Sequence, residues 1–310
     1  MIWAIAIVAG IALGPFLREA LRPRMDTLAR RAAPGKFIEL SQGVTHYQWL
    51  GADQGSVAVC VHGLTTPTFV WGPIARGLGA LGYRVLVYDL YGRGFSDRPK
   101  GAQDAAFFNT QLEELLAALE LGDDLTLLGY SMGAAIATGF AARHRERLRR
   151  MILIAPAGMG HDLGPVVRLV VNSGRFGDWL MLAFYGRSLR RSTEAERCLE
   201  SAIEGVVDLQ QNELKYRGFR PAVLSSIRGI LSETQEAEHR EISANSLPVL
   251  AIWGREDEVI PLAGKGKLAQ WNPDAHHEVI NDVGHCLAYT HPDEVLAVIG
   301  AWMQDRDLSQ

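Results

Sequence analysis

The sequence predicts an α/β protein: a doubly wound, mostly parallel sheet flanked by helices, with a helical insertion late in the chain. Three observations predict it. Short apolar strand runs alternate with helical stretches from Val57 to Ile154, the order that builds parallel sheets. Two of the runs, Val57-Ala-Val-Cys-Val and Met151-Ile-Leu-Ile, are apolar throughout, as strands covered on both faces must be. From Ala157 the alternation lapses: about the next eighty residues look helical, and alternation resumes at Leu247.

Composition bounds the class. The 310 residues are 48% hydrophobic and 21% charged, enough for one large domain with an inserted subdomain. A net charge of −4 and the lack of any stretch interleaving basic and aromatic residues argue against a nucleic-acid binder. The cysteines Cys60, Cys198 and Cys286 are odd in number and widely spaced, which fits neither a disulfide framework nor a metal knuckle. Cys60 lies in an apolar run and reads as a small core residue.

The chain opens on an uncharged, mostly apolar stretch from Ile2 to Leu17, followed by Arg18, Arg22, Arg24, Arg30 and Arg31. As a helix, its sixteen residues span about 24 Å, slightly short of a ~30 Å hydrocarbon core; thinning and snorkelling arginines accommodate that. A cleaved signal peptide carries its basic residues ahead of the apolar run, and here they follow it. Residues 1–31 are therefore expected to be a membrane anchor with a basic flank, holding the rest of the protein on the cytoplasmic side. A helix packed on its own domain or on a partner is the other reading; without the anchor the protein would be cytoplasmic.

Ala32 to Gly35 reads as a linker. Phe37–Leu40 and Val44–Leu50, separated by Ser-Gln-Gly, predict a hairpin. The strand at Val57 ends in His62-Gly63-Leu64; Trp71 to Leu81 reads as a helix and Arg84 to Asp89 as a strand. Asp104 to Leu121 carries apolar residues at Phe108, Leu112, Leu115, Leu116 and Leu119, a helical stripe. In the insertion, Val166 to Tyr185 is very apolar, and an insertion between sheet strands usually covers their C-terminal edge as a lid. The expected organisation is a core of residues 36–156 and 236–304 with a lid over 157–235. The late core reads as a strand at Leu247–Trp253, a helix from about Leu262, a strand at His277–Ile280 and a helix from Pro292 to Met303.

The chemistry centres on Gly129-Tyr130-Ser131-Met132-Gly133, between the strand from Leu125 and a small-residue helix. This is G-x-S-x-G in a strand-turn-helix setting. The tight bend strains its apex, and the flanking glycines fit where a side chain would collide. Ser131 is the expected nucleophile, and the N–H of Met132 faces a developing oxyanion. The bland alternative is a helix N-cap.

A serine needs a base, and the base an orienting acid, in the chain order Ser, Asp or Glu, His. Two loops follow late strands: Gly254-Arg-Glu256-Asp257-Glu258 and Asn281-Asp-Val-Gly284-His285. Asp257 is the expected acid, with Glu256 and Glu258 as competitors, and His285 is the best placed base among nine histidines. His62-Gly63-Leu64 supplies the second oxyanion donor, the N–H of Leu64, with Gly63 allowing close backbone approach. Trp179, Phe184 and Tyr130 are expected to touch substrate. The glycine-rich stretch Asp89-Leu-Tyr-Gly-Arg-Gly-Phe-Ser lacks the phosphate-loop patterns and reads as a structural turn in which Arg93 pairs with Asp97. The arginines at 143, 145, 147, 149 and 150 read as the solvated end of the nucleophile helix, with contact to anionic lipid headgroups as the second reading.

Together, His62-Gly63, Asp89-x-x-Gly-Arg-Gly-x-Ser, Gly129-Tyr-Ser-Met-Gly, Gly254-x-x-Asp257-x-x-x-Pro261 and Gly284-His285 resemble the α/β-hydrolase superfamily over roughly residues 36–303. The lidded monoacylglycerol-lipase-like and carboxylesterase-like members look nearest. Epoxide hydrolases and haloalkane dehalogenases share the Asp89 stretch but use aspartate as nucleophile, against Ser131 here. The loop after His62 lacks the extra glycines of the carbon–carbon hydrolases. The resemblance implies a serine hydrolase of carboxylic esters, with no metal or organic cofactor. The apolar insertion and N-terminus point to a medium or long acyl chain and a lipid or small-molecule ester. The alternatives are a carbon–carbon or thioester hydrolase on the same triad, and a catalytically silent ligand-binding member. No protein partner can be inferred.

Overall fold

The computed structural model describes residues 1–160 and 164–308. Eight strands form one sheet in the order β1-β2-β4-β3-β5-β6-β7-β8: β1 (Lys36–Leu40), β2 (Gly43–Gly51), β3 (Val57–Val61), β4 (Arg84–Tyr88), β5 (Leu125–Tyr130), β6 (Leu148–Ile154), β7 (Val249–Gly254) and β8 (His276–Ile280). The hairpin β1–β2 is antiparallel and β2 joins β4 antiparallel; every other pairing is parallel. The helices are α1 (Ile2–Ala20), α2 (Gly72–Ala80), α3 (Ala105–Ala118), α4 (Met132–Arg143), α5 (Gly164–Asn172), α6 (Gly174–Glu196), α7 (Val206–Asn212), α8 (Phe219–Arg228), α9 (Glu236–Ala244), α10 (Ala263–Trp271), α11 (Leu287–Thr290) and α12 (Pro292–Leu308).

The side-chain period of two decides where the core sits. Val59, Val61 and Leu127 point into one apolar layer, while Ala58, Cys60 and Leu128 point into the other. Both sheet faces are thus covered, which is why these strands carry no polar alternation. Helix α3 starts where Asp104 accepts the N–H of Phe107 at 2.9 Å, an N-cap that satisfies one of the free first-turn donors. Helix α4 is buried from Met132 to Ala141; its run of glycine and alanine lets the backbone lie close to the sheet.

After β3 the chain crosses to β4 on one side, and after α3 it returns to β5 on the other. The loops following β3 and β5 therefore diverge from neighbouring strands, which opens a crevice at the strands' C-terminal ends.

Between β6 and β7 the described chain is helical. Helices α6 and α8 pack together around a small core of their own, with Met181, Leu189, Leu214, Phe219 and Val223. Leu64 packs against this core and against the main one, so it joins the two. Residues 161–163, within the expected lid, lie outside the described residues. The arginine run does not end α4 as expected: only Arg143 belongs to it, and residues 148–150 already form β6. Arg143 reaches Glu113, Arg145 reaches the Leu148 carbonyl and Arg147 that of Leu121. These side chains fasten the turn between helix and strand.

Candidate active site

Ser131 stands between β5 and α4 with φ 55° and ψ −120°, a backbone state that costs a non-glycine residue on the order of 1–3 kcal/mol. The surroundings over-determine it. Its N–H donates to the Ile154 carbonyl at 2.9 Å, and its carbonyl accepts from Ala134 at 2.9 Å and Ala157 at 3.2 Å. The two glycines are required by backbone contact. A Cβ at Gly129 would lie 2.5 Å from the Ala134 Cα, and one at Gly133 would lie 2.0 Å from the Val61 carbonyl oxygen.

The loops after β7 and β8 bring the partners to this apex. Nε2 of His285 lies 2.9 Å from Ser131 Oγ, and Nδ1 lies 2.8 Å from Asp257 Oδ2. A carboxylate can only accept, so Nδ1 carries the proton and Nε2 is left to accept from the serine hydroxyl. The other oxygen, Asp257 Oδ1, accepts from the N–H groups of Val259 at 2.8 Å and Ile260 at 2.7 Å. Asp257 is buried, whereas Glu256 and Glu258 are exposed, so the structure brings Asp257 alone of the three acids to the histidine. This is the geometry a nucleophilic serine requires.

Gly63 packs against the serine: a Cβ there would lie 3.3 Å from Ser131 Cβ. The N–H of Leu64, after Gly63, has no acceptor among the described residues, and Met132, after Ser131, is the first residue of α4, where a backbone N–H has no partner within the helix. Two free backbone donors beside a nucleophile can hold an oxyanion. His62 is fixed behind them. Its Nε2 accepts from the Leu90 N–H at 2.9 Å, so Nδ1 carries the proton and donates to the Gly63 carbonyl at 2.8 Å. Burial pushes His62 down to about 4, so it is a neutral strut.

Arg93 does not pair with Asp97. Its guanidinium donates to the carbonyls of Leu64 (3.2 Å) and Tyr91 (2.9 Å) and to Ser226 Oγ (2.7 Å). Asp97 takes Arg30 and the Val44 N–H. The reason is burial: Arg93 is inaccessible to solvent, and only an inward fan of acceptors can satisfy its donors. Asp89 organises the same turn, accepting from the N–H groups of Thr68 and Phe95, both at 2.9 Å, and from His46 Nδ1 at 2.7 Å. His46 Nε2 meets the Pro34 carbonyl. With acceptors at both ring nitrogens, His46 is held as the imidazolium. Burial opposes that charge, but the Asp89 carboxylate and the Pro34 carbonyl together outweigh it and raise the histidine's pKa.

The three residues expected to touch substrate take other roles. Tyr130 is buried, with its hydroxyl donating to the His285 carbonyl at 2.8 Å. Trp179 spends its indole N–H on the Ile11 carbonyl of α1 at 3.0 Å and stacks on Phe176. Phe184 meets Trp179 edge-on and is half exposed. The inward face of α6 is instead Met181, Tyr185 and Leu189, in the cluster that contains Leu64. Their i, i+4, i+8 spacing was legible, but an apolar stretch with aromatics on both faces does not say which one turns inward.

Comparison with known proteins agrees with the geometry. A family model described as alpha/beta hydrolase fold matches residues 58–292. Among curated relatives, 2-hydroxymuconate semialdehyde hydrolase of Pseudomonas sp. (strain CF600) is 28% identical over 235 residues, covering 72% of this chain and 77% of its own. Pimeloyl-[acyl-carrier protein] methyl ester esterase of Aeromonas hydrophila is 29% identical over 248 residues, covering 79% and 94%. Among solved structures, the enol-lactonase of Burkholderia xenovorans LB400 superposes with a TM-score of 0.72 at 20% identity, over 87% of this chain and 100% of its own; that likeness concerns the fold.

Proposed function

The chain belongs to the α/β-hydrolase fold family, and from that premise we propose that it is a serine hydrolase of carboxylic esters with medium or long acyl chains. The observation that carries the reading is the unbroken relay from Ser131 Oγ to His285 at 2.9 Å and on to Asp257 at 2.8 Å. Ser131 Oγ attacks the ester carbonyl as its proton passes to His285 Nε2. The N–H groups of Leu64 and Met132 hold the oxyanion, and Asp257 steadies the imidazolium. On collapse His285 gives the proton to the leaving alcohol. Water, deprotonated by His285, then attacks the acyl-enzyme, releasing the acid and returning the proton to Ser131.

The acyl preference rests on the insertion, read as a lid, with Met181 and Tyr185 facing Leu64's cluster. A carbon–carbon hydrolase is the second reading, favoured by the likeness to 2-hydroxymuconate semialdehyde hydrolase. The same triad would then act on a ketone carbonyl.

Helix α1 supports a membrane location. It is 19 residues long, and an 18-residue stretch of it has a mean hydropathy of 1.6 with 6% buried. Trp179 touches it at Ile11, which leaves about ten residues ahead of that contact, or about 15 Å of helix. That length enters one leaflet better than it crosses two. We read α1 as an anchor inserted from the cytoplasmic face.

The test is hydrolysis of acyl esters from acetate to oleate, monoacylglycerols included, beside a dienoic ketone of the carbon–carbon type. A rate that climbs with chain length is expected. Silence on every ester with turnover of the ketone would overturn the ester reading.

A further inference from the structure

A cleft of about 1040 Å³ lies between the C-terminal end of α1, helices α6 and α8, and the 97–103 loop. None of Ser131, Asp257, His285, Leu64 or Met132 lines it, so it is separate from the site already described. Its volume sits at the upper end of ligand-binding cavities. Phe16, Met25, Met181 and Leu224 give it apolar walls.

The charges at its margin are unbalanced. Each acidic residue lining it is already held: Glu19 by Arg22 and the Gly218 N–H, Asp97 by Arg30 and the Val44 N–H, Asp178 by Arg228. Arg98 is likewise taken, by the carbonyls of Ser96 and Gly94. Arg24, Lys100 and Arg217 also line the cleft, and their side chains make no hydrogen bond or ion pair among the described residues. Three free cations therefore line an apolar hollow whose own carboxylates are neutralised. Such a site attracts a negative headgroup and buries a hydrocarbon tail. A free inorganic anion would leave the walls uncovered, and a neutral lipid would leave the cations unanswered.

We propose that this cleft is a second, non-catalytic binding site for a single-chain anionic amphiphile such as a long-chain carboxylate. The chain lies against Phe16 and Met181, and the headgroup is held by Lys100, Arg217 and Arg24. The site abuts the catalytic half of the molecule through one side chain. Gln103 lines the cleft and accepts from Arg93, whose guanidinium also holds the Leu64 carbonyl.

The test uses full-length protein carrying Ser131→Ala, in phosphatidylcholine vesicles, with a diazirine-bearing palmitate and mass-spectrometric mapping of the adducts. Because the serine is absent, the outcome does not depend on the proposed reaction. Adducts are expected on the 97–103 and 217–225 segments. Unlabelled palmitate should compete them away, whereas millimolar inorganic phosphate should not. K100E/R217E should lower them about tenfold at an unchanged thermal midpoint. If that variant is poorly folded, the comparison with a diazirine hexadecanol replaces it: the neutral probe should label these segments about tenfold less. Equal labelling by acid and alcohol, adducts confined to Ile2–Leu13, or displacement by phosphate alone would overturn the proposal.

Discussion

The hydroxyl of Tyr130 donates to the carbonyl oxygen of His285 at 2.8 Å, and the two rings stack with centroids 5.5 Å apart. The residue before the elbow serine thus grips the residue that faces it. The contact joins the end of β5 to the loop after β8, three strands away across the sheet. The imidazole is therefore held from both sides: Asp257 fixes its tautomer, and Tyr130 fixes the backbone that carries it.

Tyr130→Phe keeps the ring and removes the hydrogen bond. The carbonyl of His285 loses a partner worth about 1 kcal/mol. A several-fold fall in kcat with KM little changed is expected, together with a small drop in the thermal midpoint. A KM rise at constant kcat would instead make Tyr130 a substrate contact.

Ser131→Ala removes the hydroxyl proposed as nucleophile while leaving the elbow's backbone bonds. Ester turnover should fall by on the order of 10⁴- to 10⁶-fold, and covalent fluorophosphonate labelling should vanish. Labelling that persists on another serine would sink the assignment.

Asp257→Asn preserves the shape but offers an amide where His285 Nδ1 needs an acceptor. The imidazole turns to the wrong tautomer, and kcat should drop by about 10³- to 10⁴-fold. A large loss of thermal stability in place of lost turnover would mean that Asp257 serves mainly to cap its loop through Val259 and Ile260.

His62 and His239 are buried and neutral, pushed down by burial to about 4 and about 3. On acidification the unfolded chain binds their protons first, near pH ~6.5. Stability therefore rises with pH from those folded values up to about 6.5 and is lost as pH falls through that window, by about 3 kcal/mol or more per histidine. His46 has the opposite sign: its folded pKa is raised, so its contribution is full below ~6.5 and is lost as pH rises through the raised value. Neither ring nitrogen of His239 has a hydrogen-bond partner among the described residues. His239→Leu should flatten the acid loss between pH ~6.5 and the folded value of about 3. Thermal midpoints measured against pH decide it; parallel curves for variant and wild type would refute the assignment.

Removing residues 2–17 strips the apolar part of α1 but keeps Glu19 and Arg22, which fasten its end to the Gly218 N–H and the Leu214 carbonyl. The shortened protein should stay folded and move from the membrane pellet to the soluble fraction. If both forms are soluble, the anchor reading fails.

Sequence by itself determined the sheet and the elbow. Period-two burial, apolar runs and the glycines flanking Ser131 are local demands, met by the chain within a few residues of where they act. The order of motifs even picked out Asp257 and His285, because loops at the ends of parallel strands must share one edge. Tertiary structure alone decided the rest. An arginine after a glycine could equally have paired with Asp97; the burial of its turn beneath α8 gave Arg93 to Leu64, Tyr91 and Ser226. A helix with aromatics on both faces could have turned Trp179 and Phe184 inward. Docking of α1 took Trp179 at Ile11 and left Met181 and Tyr185 to the cluster around Leu64. Such choices depend on which distant surface arrives, and no local pattern records that.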